Sequence, residues 1–342
     1  MTKRLNWLFS LLLIGVLGCS DSPRPKNVLE VSEPKEELRL KFHRLDKDLF
    51  SQNKDIAGLQ AWHANMLGSD TLFYRLYLQN ILQILPDSQV VFSLYRFVGD
   101  RLWKELQAEV EKAYPNTHAQ DSALNQAFGK IVGWFPGKRV PEVYYFNSGF
   151  NVGIWPDSNL VGIGLEWYLG KENKMVKSLP PDFPQYQRDN MDRKYLPGDA
   201  VKGWLLVNCY QPKVAGNLLE YMVYYGKVYY LTEAALAPIA DSVLFSYSAK
   251  QMDWCYKQEE HIWKELVKND LVYSTADKEL RRFTTDGPFT PGLPQDGAPM
   301  AGIYLGWKMV AGYMAKNPDT KPADLMNKVS ATEILKAYKP RK

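Results

Sequence analysis

The chain has 342 residues, 46% of them hydrophobic and 23% charged, with a formal net charge of +4. Such a composition describes a globular body rather than a disordered chain, and the near-balance of charge argues against a nucleic-acid partner, which needs a strong basic patch. Aromatic residues are plentiful, with 21 Tyr and 10 Trp, and are read as core and interface packing.

The chain opens with Lys3 and Arg4, then the apolar run Leu8-Phe9-Ser10-Leu11-Leu12-Leu13-Ile14-Gly15-Val16, then Leu17-Gly18-Cys19. Basic head, short apolar core, small residue and Cys form the pattern of a bacterial lipoprotein signal. Residues 1–18 read as a signal peptide and Cys19 as the acylated (palmitate-type) first residue of the mature chain. A plain signal anchor is the alternative, but the run falls short of the ~20 apolar residues a span needs. Lipid at Cys19 implies a cell-envelope location, on the outer membrane or the periplasmic face. Loss of Lys3 and Arg4 leaves 40 basic against 38 acidic residues. Residues 19–36, polar and carrying Pro23, Pro25 and Pro34, read as a lipidated tether. Residues 37–342 read as one mostly helical globular domain.

Helical periodicity is expected over 71–85, stopped by Pro86, and over 88–113 and 121–135. The texture then becomes β-rich. Residues 140–146, 151–155 and 160–165 read as short strands, with a turn at Pro156-Asp157-Ser158-Asn159, and the expectation is a small antiparallel sheet. The fold class is therefore α+β, predominantly helical. Residues 171–197 form a long, charged stretch punctuated by proline, a length usually functional or mobile. Helices return at 200–210, at 217–231, and from Ser248, where Gln251 completes a capping box, to about Asn269. A second proline-rich loop spans 284–299. The last strong helix is 301–315, and its Gly302, Gly306 and Gly312 suit close backbone packing.

Motifs with chemistry are sparse. Gly162-Ile163-Gly164 lacks a third glycine at dinucleotide-binding spacing, and neither a phosphate-binding loop, a Gly-x-Ser-x-Gly elbow nor a Cys-x-x-Cys pair occurs. No two of His43, His63, His118 and His261 stand four apart, so HExxH is excluded and no metal or other cofactor is expected. Glu259, Glu260 and His261, with Glu166, are the best candidates for an unrecognised hydrolase site. A charged helix surface pairing with Lys257, Lys264 and Lys268 is the competing reading. Tyr144, Tyr145, Tyr224 and Tyr225 are candidates for stacking on glycans. Cys209 and Cys255 either pair as a disulfide, which an oxidising envelope permits, or stay as separate buried thiols.

Five segments carry a resemblance. They are Phe42-His43-Arg44-Leu45-Asp46-Lys47-Asp48-Leu49-Phe50, Gly164-Leu165-Glu166-Trp167-Tyr168-Leu169-Gly170, Asn217-Leu218-Leu219-Glu220-Tyr221-Met222-Val223-Tyr224-Tyr225-Gly226-Lys227, Glu259-Glu260-His261-Ile262-Trp263, and Gly302-Ile303-Tyr304-Leu305-Gly306-Trp307-Lys308-Met309-Val310. With the lipoprotein signal they resemble, in order and over nearly the whole mature chain, the gliding motility lipoprotein family GldB of Bacteroidetes. The resemblance implies a noncatalytic envelope lipoprotein that supports gliding through other envelope or motility-machinery proteins. More distantly, the helix order is similar to that of HExxH zinc metallopeptidases. On that likeness residues 201–208 would lie on the first helix and Tyr225-Gly226 would stand where Glu-Gly stands, a degenerate fold without its metal site.

Overall fold

The computed structural model describes residues 27–30, 38–51, 55–69, 71–209 and 216–341. Cys19 and the signal segment lie outside the described residues.

The described chain starts with a short docked segment. Asn27 and Leu29 are buried. The Asn27 amide donates to the Tyr230 carbonyl at 3.0 Å, and its side-chain oxygen accepts from Leu29 N at 3.1 Å. Lys130 Nζ holds the Glu30 carbonyl at 3.4 Å and the Ala234 carbonyl at 2.9 Å.

Strand β1 (Phe42–Arg44) leads into a helical layer: α1 (Leu45–Ser51), α2 (Ile56–Ser69), α3 (Thr71–Leu76) continued by a π-helical turn over Tyr77–Ile81, α4 (Val90–Gly99), α5 (Arg101–Ala113) and α6 (His118–Trp134). The continuous helix expected over 88–113 is two helices. Asp100 breaks it, because its carboxylate accepts from Leu102 N at 2.8 Å and Trp103 N at 3.2 Å and so caps a new helix.

Strands β2 (Glu142–Phe146), β3 (Ile154–Pro156) and β4 (Leu160–Gly164) complete a four-stranded sheet in the order β1-β2-β4-β3. The sheet is mixed, not antiparallel. β1, β2 and β4 run parallel, with Phe42 opposite Val143 and Tyr144 opposite Gly162. Only the β3–β4 hairpin, turned at the expected 156–159, is antiparallel. The reason is topological. β2 takes as its partner a strand a hundred residues upstream, and parallel neighbours need a long crossover, here supplied by α1–α6. Both faces of the central strands are buried. Val143, Tyr145, Val161 and Ile163 join the larger core, while Tyr144, Phe146 and Leu160 join a second core under α1–α4.

After β4, a 3₁₀ turn (Leu165–Tyr168) leads to α7 (Lys174–Lys177), α8 (Gln185–Asp189) and α9 (Leu196–Asn208), so the proline-rich stretch 171–197 carries two short helices. Then come α10 (Leu218–Ala235), α11 (Asp241–Leu244), α12 (Ala249–Lys268), α13 (Asp277–Thr284), α14 (Ala301–Lys316), α15 (Pro322–Asn327) and α16 (Ala331–Ala337). The capping box that opens α12 is present, with Ser248 Oγ accepting from Gln251 N at 3.2 Å and Gln251 Oε1 accepting from Ser248 N at 2.9 Å.

Helices α10 and α14 form the spine. A Cβ placed on Gly306 would sit 1.7 Å from the Met222 carbonyl oxygen, and one on Gly226 would sit 2.2 Å from the Gly306 carbonyl carbon. Only glycine permits that approach. Gly302 and Gly306 therefore serve the expected close packing, whereas a Cβ on Gly312 would meet nothing nearer than Ala337 O at 3.7 Å.

Candidate functional site

Parallel strands deliver their carboxyl ends to one edge of a sheet, and α/β proteins place ligands there. In this chain β4 ends in the 3₁₀ turn, which buries Glu166 and carries Trp167 and Tyr168 to the wall of a cleft. The cleft has a volume of about 310 Å³ and lies between that turn, α8, α9, α10 and the loop after α13. Through Asn190 and Ser246 it continues into a larger depression of about 670 Å³, between the 171–197 segment and the 284–299 loop.

Lys202 is the centre of the cleft. Its position on α9 is otherwise set by apolar neighbours, since Val201, Trp204 and Leu205 are fully buried. Its Nζ lies 3.0 Å from Asp199 Oδ1, donates to the Leu244 carbonyl at 3.1 Å, and stands 5.0 Å over the Tyr229 ring. Tyr168 Oη donates to the other Asp199 oxygen at 3.1 Å. Burial alone would disfavour the ammonium, but Tyr229 and Asp199 outweigh it and raise the Lys202 pKa. Burial likewise raises Tyr168 and Tyr229. The cation is thus held charged and the phenols neutral.

The open valences lie around that network. Asp286 takes one hydrogen bond, from Gly287 N at 2.8 Å, and burial raises its pKa. Trp167 Nε1 is buried without a hydrogen-bond partner. Ser246 and Met300, both in the lining, have positive φ angles of 56° and 49°. Such non-glycine residues are uncommon and concentrate where surrounding structure over-determines the backbone.

The residues singled out from sequence do not converge. Glu166 Oε1 accepts from Ser148 N at 2.7 Å, Ser148 Oγ at 2.5 Å and Phe150 N at 3.3 Å, so it clamps the loop after β2 to the end of β4. Burial outweighs those donors and lifts its pKa to about 7. Glu259 is buried and anchors the carboxyl-terminal segment. It accepts from Tyr304 Oη at 3.3 Å, Tyr338 Oη at 3.2 Å and Arg341 N at 3.1 Å. Glu260 pairs with Lys264 at 3.0 Å, and His261 is exposed. Adjacent helical positions point about 100° apart, which scatters the three. Tyr144, Tyr145 and Tyr224 are buried and Tyr225 half-buried, so they serve the core and not a stacking platform. Cys209 and Cys255 are separate buried free thiols rather than a disulfide. Among the described residues no group of three or more His, Cys, Asp or Glu is placed to hold a metal ion.

The cleft residues Asp199, Lys202, Asp286 and Trp167 carry no motif. The one local signal is a lone cation in the apolar run Ala200-Val201-Lys202-Gly203-Trp204-Leu205.

No solved structure and no curated protein matches the chain. The metallopeptidase-like reading of the helix order therefore gains no support, and Gly226 is accounted for by the contact of α10 with α14. A family model described as gliding motility protein GldB matches residues 25–340.

Proposed function

The chain belongs to the GldB family of gliding motility proteins, and we propose that it serves gliding as a noncatalytic cell-envelope lipoprotein, anchored through Cys19, that holds a protein of the motility apparatus in the cleft. The observation that carries this reading is the state of the cleft. Lys202 is held as a cation by Asp199, and Asp199 is matched by Tyr168, so the network is built to bind and not to shuttle protons. Acids that could have formed a hydrolytic pair are engaged in holding the fold, Glu166 by Ser148 and Glu259 by the carboxyl-terminal segment. Among the described residues no helix is long and apolar enough to cross a membrane, so the lipoprotein signal ending at Cys19 supplies the attachment in this reading.

The test is a gliding assay on cells whose own copy is replaced by Lys202→Met or Asp199→Asn, with abundance and palmitate labelling followed in parallel. Loss of gliding at normal abundance and labelling is the expected result. Photocrosslinks from Gln187 in the cleft lining should also disappear in the Lys202→Met chain. Normal gliding by both variants would overturn the role of the cleft. Turnover of peptide or glycan by the purified protein, abolished by either variant, would overturn its noncatalytic character.

A further inference from the structure

We propose that the pocket between α10 and the α15–α16 turn binds a small monocarboxylic acid with a short apolar chain, its carboxylate on the Lys227 ammonium and its chain against the pocket walls.

The pocket has a volume of about 280 Å³ and shares no lining residue with the cleft or its extension. Two steps along an α-helix turn by about 200°, so Lys227 and the cleft-lining Tyr229 leave α10 on opposite sides. Val223 and Met326 are buried in the wall, and Val329 and Ala331 extend its apolar part.

Lys227 is the unmatched charge of that lining. The residue is only 5% exposed, and its Nζ donates to the Val329 carbonyl at 2.7 Å. An ammonium carries three N–H donors. Among the described residues no carboxylate forms an ion pair with this one, and Glu333 acts on it from farther away. The other polar groups around the pocket have partners. Lys328 Nζ lies 2.7 Å from Asp324 Oδ1, Glu220 accepts from Asn217 N at 2.9 Å, and Tyr224 Oη donates to the Leu206 carbonyl at 3.0 Å. Glu333 accepts from Ser330 N at 2.8 Å and Ser330 Oγ at 2.7 Å. Holding the α15–α16 turn takes one N–H, which a neutral amide also supplies. A buried ammonium is costly without a counter-charge. A carboxylate entering the pocket supplies that charge and accepts the remaining donors. One cation calls for one negative charge, and Glu220 in the lining disfavours a second. The apolar walls and small volume suit a short hydrocarbon chain rather than a polymer.

The same contact carries a pH signature. Burial lowers the Lys227 pKa from 10.5 to about 8, and an anion beside the amine raises it again. Binding therefore takes up a proton above about pH 8. Affinity for an ionised acid should be level just below that pH and fall by about tenfold per unit above it.

The experiment titrates hexanoate into the full chain, purified in detergent, by calorimetry blanked against detergent alone, with hexanol as the neutral probe of the same length. Hexanoate should bind saturably near neutral pH, and hexanol much more weakly. Lys227→Met and Lys227→Gln should each weaken hexanoate by about 10- to 150-fold, as loss of a charge-assisted hydrogen bond would. Thermal melts show whether each variant is folded. The glutamine side chain keeps a donor for the Val329 carbonyl and carries the test if the methionine chain does not fold. Four results would each overturn the proposal: no saturable binding by wild type, equal binding of hexanol, undiminished binding by a folded variant, or an affinity unchanged from about pH 7 to about pH 10.

Discussion

Replacing Gly306 by alanine adds one methyl group where α14 meets α10. That Cβ would lie 1.7 Å from the Met222 carbonyl oxygen and 2.4 Å from its carbonyl carbon. Ordinary contacts between such atoms need about 3.5 Å, so the helices must part by roughly 2 Å along that line. Both obstructing atoms belong to helix backbone, and no change of rotamer relieves them. Cores pack at crystal density, so separating the spine also loosens Trp307 and Tyr304, both fully buried. Overpacking typically costs about 1–3 kcal/mol, and a backbone clash on the main helix pair belongs at or above the top of that range. Alanine's higher helix propensity offsets only about 1 kcal/mol. A net loss of about 2 kcal/mol or more is expected for Gly306→Ala. Gly312 is the internal control on the same helix, since its Cβ would meet only Ala337 O at 3.7 Å. Gly312→Ala should therefore gain up to about 1 kcal/mol from propensity. Urea unfolding at unchanged m-value reads both shifts as midpoints. The reasoning fails if Gly306→Ala unfolds at the wild-type midpoint, or if Gly312→Ala falls as far as Gly306→Ala.

Burial raises the Glu166 carboxyl from 4.5 to about 7, so the folded chain holds this proton more tightly than the unfolded one, and stability should fall by about 3 kcal/mol between pH 4.5 and 7 and then level off. Glu166→Gln should remove that fall and melt above wild type at pH 8; a lower melting temperature at every pH would refute this. Burial lowers the Lys227 pKa from 10.5 to about 8, while its Nζ donates to the Val329 carbonyl at 2.7 Å. The unfolded chain binds that proton more tightly, so the penalty is full below pH 8 and fades toward 10.5. Lys227→Met should match or exceed wild-type stability at pH 7 and lose the advantage toward pH 10, as thermal melts across that range would show. Glu259→Ala leaves the hydroxyls of Tyr304 and Tyr338, Arg341 N and Lys308 without their acceptor, a local loss of about 2–3 kcal/mol. Hydrogen exchange should accelerate by roughly 30- to 150-fold, at 1.4 kcal/mol per decade, across 331–341 and little in α10; a uniform acceleration would show that Glu259 supports the whole fold instead.

Local chemistry was legible where it sufficed. Ser248 and Gln251 announced α12, and the glycines of α14 announced a close neighbour, two of the three correctly. The turn at 156–159 placed the β3–β4 hairpin. What failed was non-local. The apolar stripe runs straight across Asp100, so only the cap geometry reveals that α4 ends and α5 begins. The pairing of β2 with Phe42–Arg44 spans a hundred residues, and three residues give too little periodicity to announce a strand. One signal could have corrected the sheet. Leu160-Val161-Gly162-Ile163-Gly164 has no polar alternation, as expected of a strand buried on both faces in a parallel sheet. The cleft was less legible still, because Trp167, Lys202 and Asp286 come from three separated segments, and no spacing rule links them.

The direction of the strands gathers buried acids and amides at one edge of the sheet, where neighbouring side chains engage them. β1 and β2 lead at their carboxyl ends into Asp46 and into Asn147 and Ser148, and β4 leads into Glu166. Asp46, fully buried, is matched by Arg44 at 2.7 Å and by the Gln107 amide at 3.2 Å. The Asn147 amide in turn donates to Gln107 at 3.3 Å. Asp199 is matched by Lys202 and Tyr168 in the same manner. A buried charge that loses its partner costs several kcal/mol, so these pairs stay closed unless an incoming group replaces the lost contact. The Trp167 indole N–H, buried without a partner, and the Asp286 carboxylate are two groups of the lining with capacity for a new partner.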